Sequence, residues 1–297
     1  MSRFRPAALG ALRRAATTFL TALLALLCSP GYAADAQVRY EVLHSAALGK
    51  DMPMIVYLPP GYDAAMRYPV LYFFHGMLEN EQQWERIGAL EEASALIEEG
   101  AIAPLIIVLP RLENSFGLNG QPPTQTSIAG GMVPLQGGAY EDYLGTELPA
   151  FIEQRFAAAT DRESRYVGGL SMGGFAALHL AMRHPGRYAR VGGHSPALVE
   201  NWAWLFPDAG TRATRDPQAL AATADLHAMH VYLDCGEQDE FQFQFPTRRL
   251  SETLVEHGVP TQLVLRPGHH NFGYWSEHVG EYLRFYSPPA TRSAAAN

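Results

Sequence analysis

Short apolar runs alternate with helical patterns along most of the chain, and this alternation limits the possible folds more than any other feature of the sequence. Runs typical of strands occur at 38–44, 54–58, 70–74, 105–109, 165–169, 188–192, 229–234 and 261–265. The run at 70–74 is continuously apolar, as expected for a strand buried on both faces. Because helical patterns separate the later strands but not the first two, the sequence predicts a mostly parallel sheet of about eight strands with helices on both faces.

The helical patterns lie at 90–98, 140–156, 171–183, 245–257 and 275–286. In the second of these, apolar residues recur at three- and four-residue steps, and Pro149 should kink or restart the helix. Segments 111–139 and 196–222 fit no regular element. Both follow strand ends at the edge where parallel sheets carry their sites, so we expect both to border a site.

Ser171 lies within a G-x-S-x-G motif, between a predicted strand and a predicted helix. In this motif the strand turns sharply into the helix with the serine at the strained apex, and the glycines permit close backbone approach. A glycine-rich turn with a capping serine is the simpler alternative. The strand and helix on either side favour a serine nucleophile.

A serine nucleophile of this kind needs an acid and a histidine later in the chain. Asp239 lies in the loop after the strand at 229–234, where it can fold back toward the serine, and Glu237 and Glu240 are possible substitutes. Asp234 is still on the strand end and is interpreted as structural. His269 and His270 follow the last strand, and their positions alone leave either as the base.

Two backbone N–H groups should stabilise an oxyanion at this site. Met172 follows the nucleophile and supplies one, and the turn after the strand at 70–74 supplies the other, for which we predict Met77. His75 in that turn, Asn114 and His194 are candidate substrate-binding residues, with a solvated or structural role as the alternative for each.

Several motifs together resemble the esterase D family of α/β-hydrolases, over most of the chain from about residue 56. They are Y-L-P-P-G-Y at 57–62, H-G at 75–76, Y-E-D-Y at 140–143, E-L-P at 147–149, G-L-S-M-G-G at 169–174 and G-E-Q-D at 236–239. The family's histidine is commonly followed two residues later by an aromatic residue and five residues later by Trp. His270, Phe272 and Trp275 match that spacing, with Phe272 where Trp is usual, so the resemblance selects His270 as the base.

The resemblance implies the α/β-hydrolase fold and a serine esterase that uses Ser171, His270 and Asp239. The family includes feruloyl and acetylxylan esterases, S-formylglutathione hydrolases, siderophore esterases and mycolyltransferases. Its carbohydrate-active members suggest acyl esters of sugars as substrates. An acyltransferase with the same triad, or a non-catalytic binding protein on the same scaffold, is the alternative.

The N-terminus is typical of a signal peptide. Four arginines precede an uncharged apolar run at 15–27, and small residues follow up to Ala33. We therefore expect cleavage after residue 33, leaving a single domain at 34–297 in an exported protein, either periplasmic or secreted. A membrane span is the alternative, but the run is shorter than the roughly 20 residues that a crossing helix needs.

The remaining composition restricts the partners and cofactors. Removing four arginines would lower the net charge from −8 to −12 (−8 − 4), and an acidic chain argues against nucleic acid as a partner. Cleavage would also remove one of the two cysteines, so Cys235 could form no internal disulfide. The chain has no helical H-E-x-x-H motif and no cysteine cluster, so neither a metal nor another cofactor is predicted. A small-molecule or carbohydrate ester is the expected ligand.

Overall fold

The strands occur in the predicted order, with additional short strands in one loop. The computed structural model describes residues 35–121, 124–128, 131–198, 205–206 and 208–288, and the predicted signal peptide lies outside them. The strands are β1 (Gln37–Ser45), β2 (Lys50–Leu58), β3 (Val70–Phe74), β4 (Ile106–Pro110), β5 (Asn119–Gln121), β6 (Thr124–Ile128), β7 (Gly131–Leu135), β8 (Gly138–Ala139), β9 (Arg165–Leu170), β10 (Arg190–His194), β11 (His230–Gly236) and β12 (Thr261–Arg266).

The main sheet has eight strands in the order β1-β2-β4-β3-β9-β10-β11-β12. β1 pairs antiparallel with β2, and β2 with β4. From β4 to β12 every neighbouring pair is parallel. The predicted mostly parallel sheet is therefore confirmed. The carboxyl ends of β9, β10, β11 and β12 lie side by side at one edge.

The helices cover both faces of this sheet. They are α1 (Gln83–Arg86), α2 (Ala89–Glu98), α3 (Tyr140–Asp142), α4 (Leu148–Arg155), α5 (Met172–Arg183), α6 (Ala209–Arg215), α7 (Pro217–Ala221), α8 (Gln244–Glu256) and α9 (Phe272–Tyr286). α5 and α8 pack into one hydrophobic core, and α2 and α9 pack into the other. Strand β3 contributes to both, because alternate side chains point to opposite faces: Val70 and Tyr72 to the first core, and Leu71 and Phe73 to the second.

Pro149 restarts a helix, as its position in the sequence suggests. A π-helical turn at Tyr143–Glu147 separates α3 from α4, and Pro149 lies in the first turn of α4. The Leu148 N–H donates to the Tyr143 carbonyl oxygen in the π-helical turn, and Pro149, which has no N–H, lies directly after this turn, where the hydrogen-bond pattern changes.

The two segments interpreted as irregular contain short elements, and that part of the prediction is wrong. Segment 111–139 contains β5 to β8, which form two small two-stranded sheets. Segment 196–222 contains α6 and α7, whose N-caps are Asp208 and Asp216. The predicted strand at 188–192 also lies two residues later, because pairing with both neighbouring strands begins at Arg190. No helix within the described ranges is long and apolar enough to cross a membrane.

Candidate active site

Ser171 lies at the sharp turn between β9 and α5. Its φ of 52° and ψ of −114° are unusual for a residue with a side chain, and such backbone strain typically costs about 1–3 kcal/mol. A Cβ on Gly169 would lie 2.3 Å from the Gly173 backbone, so the turn closes only with glycine there. The Ser171 N–H donates to the His194 carbonyl oxygen over 2.9 Å, which fixes the turn to the neighbouring strand.

The two predicted oxyanion donors lie on segments that touch. Met172 begins α5, where the first N–H groups lack intrahelical acceptors. A Cβ on Gly173 would lie 2.4 Å from the carbonyl oxygen of Phe74 and 2.5 Å from that of His75, so the turn containing Met77 packs directly against the start of this helix.

The turn that carries Met77 is held by side chains from other segments. The Gly76 N–H donates to Gln83 Oε1 over 2.6 Å. The Leu78 N–H donates to Asn114 Oδ1 over 2.9 Å, and Leu78 has a positive φ of 66°. These bonds on either side of Met77 fix the orientation of its peptide group.

His270 and Asp239 form a close pair at the same edge. His270 Nδ1 lies 2.7 Å from Asp239 Oδ2, with the histidine side chain 8% exposed and the aspartate side chain fully buried. Asp239 Oδ1 accepts the Phe241 N–H over 2.9 Å. The rings of Phe241, Phe243 and Trp275 surround the imidazole at centroid distances of 5.0 to 5.3 Å. This setting holds Nδ1 on the carboxylate and leaves Nε2 as the nitrogen that can exchange a proton.

The adjacent histidine has a different environment. His269 Nδ1 lies 2.8 Å from Glu240 Oε1, and both side chains are more than half exposed. Glu240 Oε2 also accepts the His270 N–H over 2.9 Å. Glu240 therefore fixes the backbone of the histidine pair, and the geometry favours His270 over His269 as the base.

A chain of contacts through Ser195 and Trp275 links the surroundings of Ser171 to those of His270. Ser195 directly follows His194, whose carbonyl oxygen accepts the Ser171 N–H, and its hydroxyl accepts the Trp275 indole N–H over 3.1 Å. Trp275 in turn contacts the His270 ring. Among the described residues the side-chain hydrogen bonds join Asp239 to His270 but do not extend to the Ser171 hydroxyl. In serine hydrolases without substrate, the distance between the serine hydroxyl and the histidine is often longer than a hydrogen bond.

The three candidate substrate-binding side chains are all engaged within the protein. His75 is buried, with Nδ1 2.8 Å from the Gly76 carbonyl and Nε2 accepting the Leu112 N–H over 3.0 Å. Burial lowers the pKa of His75 to about 4, so it is neutral. Asn114 bonds Leu78 and the Pro134 carbonyl oxygen. This geometry gives His75 and Asn114 a role in supporting the Met77 turn.

His194 belongs to a buried polar network that sequence reasoning missed. Its Nδ1 lies 2.8 Å from Asp234 Oδ1 and its Nε2 lies 3.0 Å from the Tyr286 hydroxyl, while Tyr282 donates to Asp234 Oδ2 over 2.9 Å. Burial, followed by the charge of Asp234, raises the pKa of Tyr282 well above its ordinary value. The sequence signal for this network was the glycines within strands β9 and β10. They make room for Tyr286, since a Cβ at Gly168 or Gly192 would lie 1.9 Å from its hydroxyl.

A polar cavity of about 370 Å³ lies where segment 111–139 meets the Met77 turn. It is lined by Leu78, Glu79, Asn80, Arg111, Glu113, Asn114 and Gln136. Its charged groups have partners, since Arg111 forms a two-pronged bond with Glu81 and Glu113 pairs with Lys50. Within the part of the chain that the structure describes, no three His, Cys, Asp or Glu side chains gather as a metal site would require.

The chain belongs to the family described as "Putative esterase", whose model matches residues 45–286. It is therefore a carboxylic ester hydrolase. The predicted α/β-hydrolase fold and the resemblance to this family are both confirmed.

Solved structures of esterases are similar over nearly their whole length. A ferulic acid esterase is 25% identical with a TM-score of 0.70, covering 85% of this chain and 98% of that one. An S-formylglutathione hydrolase from Staphylococcus aureus is 20% identical with a TM-score of 0.66, covering 84% and 98%. A ferulic acid esterase from Anaeromyces mucronatus, solved with ferulic acid, is 19% identical with a TM-score of 0.62, covering 87% and 94%.

Proposed function

We propose that the protein hydrolyses carboxylic esters through an acyl-enzyme on Ser171, with His270 as general base and Asp239 as the acid that orients it. The observations that carry this proposal are the buried 2.7 Å bond between Asp239 and His270 and the strained strand-to-helix turn that holds Ser171. A histidine whose Nδ1–H is held by a carboxylate presents Nε2 as a base, which is what a serine hydroxyl needs to become a nucleophile.

The first half of the reaction forms the acyl-enzyme. Nε2 of His270 removes the Ser171 proton as Oγ attacks the ester carbonyl, and the carbonyl oxygen becomes an oxyanion. The Met77 and Met172 N–H groups stabilise this charge, and one such donor is typically worth about 10²–10³ in rate. The imidazolium then protonates the leaving alcohol as the bond between the carbonyl carbon and the alcohol oxygen breaks.

The second half releases the acid by the same steps. A water molecule gives a proton to His270 and attacks the acyl carbon, and the tetrahedral intermediate collapses with return of that proton to Ser171. One ester and one water are consumed, and one alcohol and one carboxylic acid are released.

We further propose that the substrates are acyl esters of carbohydrates. Two of the similar structures are ferulic acid esterases, and the cavity beside the Met77 turn is lined mostly by polar side chains that suit a hydroxyl-rich alcohol. Feruloyl and acetyl esters of a sugar should be cleaved with a higher kcat/KM than the methyl or ethyl esters of the same acids. Equal values for the sugar and simple esters would contradict this part of the proposal.

Export is proposed from the N-terminal pattern. The protein recovered from the periplasm or the medium of an expressing bacterium should have the intact mass of a chain that begins at Ala34. A chain that retains residues 1–33 and stays in the cytosol would contradict it.

The test of the catalytic proposal is hydrolysis of p-nitrophenyl acetate by the wild type and four variants. Ser171→Ala and His270→Ala should each lower kcat by about 10⁴-fold or more, since triad members act as a unit. His269→Ala is the matched control, and Met132→Ala, on an exposed side chain of segment 111–139, is a second. Both controls should retain kcat within a few-fold. Normal turnover by a folded Ser171→Ala protein would overturn the assignment.

A further inference from the structure

The Asp239 carboxylate accepts a hydrogen bond from a group that the proposed mechanism does not use. Oδ1 accepts the Phe241 N–H, and Oδ2 faces His270 Nδ1 at 2.7 Å. The Cys235 thiol also donates to Oδ2, over 3.3 Å. The same oxygen that orients the imidazole therefore receives a second proton donor from the end of β11.

The environment of Cys235 keeps its thiol protonated. The residue is fully buried. Burial raises the pKa of the thiol above its usual range, the charge of Asp239 and the hydrogen bond to it act in the same direction, and a side-chain hydrogen bond with Ser195 acts against them. A thiol in this setting is a hydrogen-bond donor and an unreactive nucleophile.

Ser195 accepts a hydrogen bond from the last helix. It is fully buried and has a φ of 44°, and its N–H donates to the Asp234 carbonyl oxygen over 2.8 Å. The Trp275 indole is a donor only, so the Ser195 hydroxyl oxygen must accept from it, over 3.1 Å. The proton of the Ser195 hydroxyl is then left to serve a second acceptor.

We propose that the Ser195 hydroxyl serves the Cys235 sulfur, and that Trp275, Ser195 and Cys235 are positioning residues, which together form a buried chain of hydrogen-bond donors that orients the Asp239 carboxylate and disperses its charge. This inference rests on the proposed roles of Asp239 and His270. These donors already neutralise part of the negative charge of Asp239. The carboxylate therefore stabilises the His270 imidazolium less than it would without them. The Phe241 N–H holds the other carboxylate oxygen, Oδ1, so the Asp239 carboxylate cannot rotate away from His270.

Other charged groups face this pair and stay the same in the test variants. Glu240 and His269 are exposed and paired with each other. Asp234 is buried next to Cys235 in sequence and is committed to His194 and Tyr282. The rings of Phe241 and Phe243 carry no charge. A change of pH profile on removing the thiol therefore reports the lost donor.

The decisive experiment is the pH dependence of kcat/KM for Cys235→Ala, Cys235→Val and the wild type with p-nitrophenyl acetate. Loss of a weak S–H donor leaves more charge on Asp239, so the midpoint of the acid limb should move upward by about 0.5 pH unit in both variants. kcat should fall several-fold with KM unchanged, because the carboxylate loses a hydrogen bond that orients it toward His270. Val231→Ala is the matched control, since it removes a buried side chain on the same strand and in the same core as Cys235 but no donor. The free energy of unfolding of Val231→Ala should fall, and the midpoint of the acid limb of its kcat/KM profile should not change.

Trp275→Phe tests the far end of the chain. It keeps a ring beside His270 and removes the N–H, so the midpoint should move in the same direction by a smaller amount. The low-field proton resonance of the Nδ1–H bond between His270 and Asp239 gives a second readout that needs no turnover, and it should shift in all three variants. An unchanged or lowered midpoint in both Cys235 variants, or an equal shift in Val231→Ala, would overturn the inference.

The same preparations separate this inference from the proposed function. If wild-type turnover survives Ser171→Ala, the proposed nucleophile is wrong, while the proton resonance still shows whether Cys235 acts on the pair. If Ser171→Ala abolishes turnover but the Cys235 variants show neither shift, the proposed function stands and the donor chain is refuted.

Discussion

Asp234 and Asp239 are five residues apart, yet the structure gives them opposite roles, and exchanging each for alanine should separate stability from activity. Asp234 is fully buried and accepts from His194 and Tyr282. Asp234→Ala leaves two buried donors without an acceptor, at about 1–3 kcal/mol each, so we expect a loss of about 4 kcal/mol. For a domain of this size that corresponds to a Tm lower by about 8–16 °C.

Asp239→Ala should have the reverse effect. Of its three donors, the Cys235 thiol is weak and the imidazole of His270 is partly exposed, so the loss of stability should be about 2–3 kcal/mol, less than for Asp234→Ala. kcat should fall by about 10⁴-fold, because the imidazole loses its orientation and the charge that stabilises the imidazolium. Asp234→Ala, assayed below its Tm, should keep kcat within about tenfold of the wild type, because its partners lie beneath the site.

Urea unfolding followed by tryptophan fluorescence, together with p-nitrophenyl acetate turnover at 20 °C, measures both effects. If Asp239→Ala is the more destabilising of the two, or if Asp234→Ala is the more damaging to kcat, then the assignment of the two carboxylates is refuted.

Three further results are expected. Gly173→Ala should destabilise the protein by about 3 kcal/mol in urea unfolding and lower kcat, because its Cβ would lie 2.4 Å from the Phe74 carbonyl oxygen and would displace the Met77 turn; wild-type stability would contradict this packing. His75 has its pKa lowered to about 4 in the folded protein against 6.5 ordinarily, so the unfolded chain binds more protons between those values and stability should fall as pH drops from 6.5 to 4. His75→Gln should flatten that dependence, and an unchanged slope would contradict it. Cys235, whose thiol pKa is raised by burial, should resist iodoacetamide at pH 8 until urea unfolds the chain, and rapid labelling of the folded protein would show that the thiol is exposed.

The order of the strands along the chain and the position of the sharp turn at Ser171 could be predicted because local pattern marks both. A continuously apolar run such as Val70–Phe74 is stable only in the middle of a covered sheet. Gly169 is needed by the turn itself and Gly173 by the close approach of the Met77 turn, so the spacing of the two glycines marks the turn in the sequence.

The elements within segments 111–139 and 196–222 could not be predicted in the same way. The strands there are two to five residues long and pair only with one another, so they carry little periodicity. Asp208 and Asp216 cap α6 and α7, but such short helices depend on packing against the rest of the domain for their stability.

The roles of the histidines depend on contacts between distant residues. Nothing near His194 shows that Asp234 and Tyr286 will enclose it, since these residues are 40 and 92 positions away. Apart from the family spacing to Trp275, His269 and His270 are distinguished by which carboxylate each one meets. Pattern places such side chains at the right edge of the sheet, and only the folded structure shows which partners they meet.

The most direct measurement of the central claim is covalent labelling with a fluorophosphonate, read out by mass spectrometry of the digested protein. We expect one adduct, on the peptide that contains Ser171, with labelling that is slowed strongly by His270→Ala and hardly by His269→Ala. An adduct on a different residue, or no adduct on a protein that still cleaves p-nitrophenyl acetate, would contradict it.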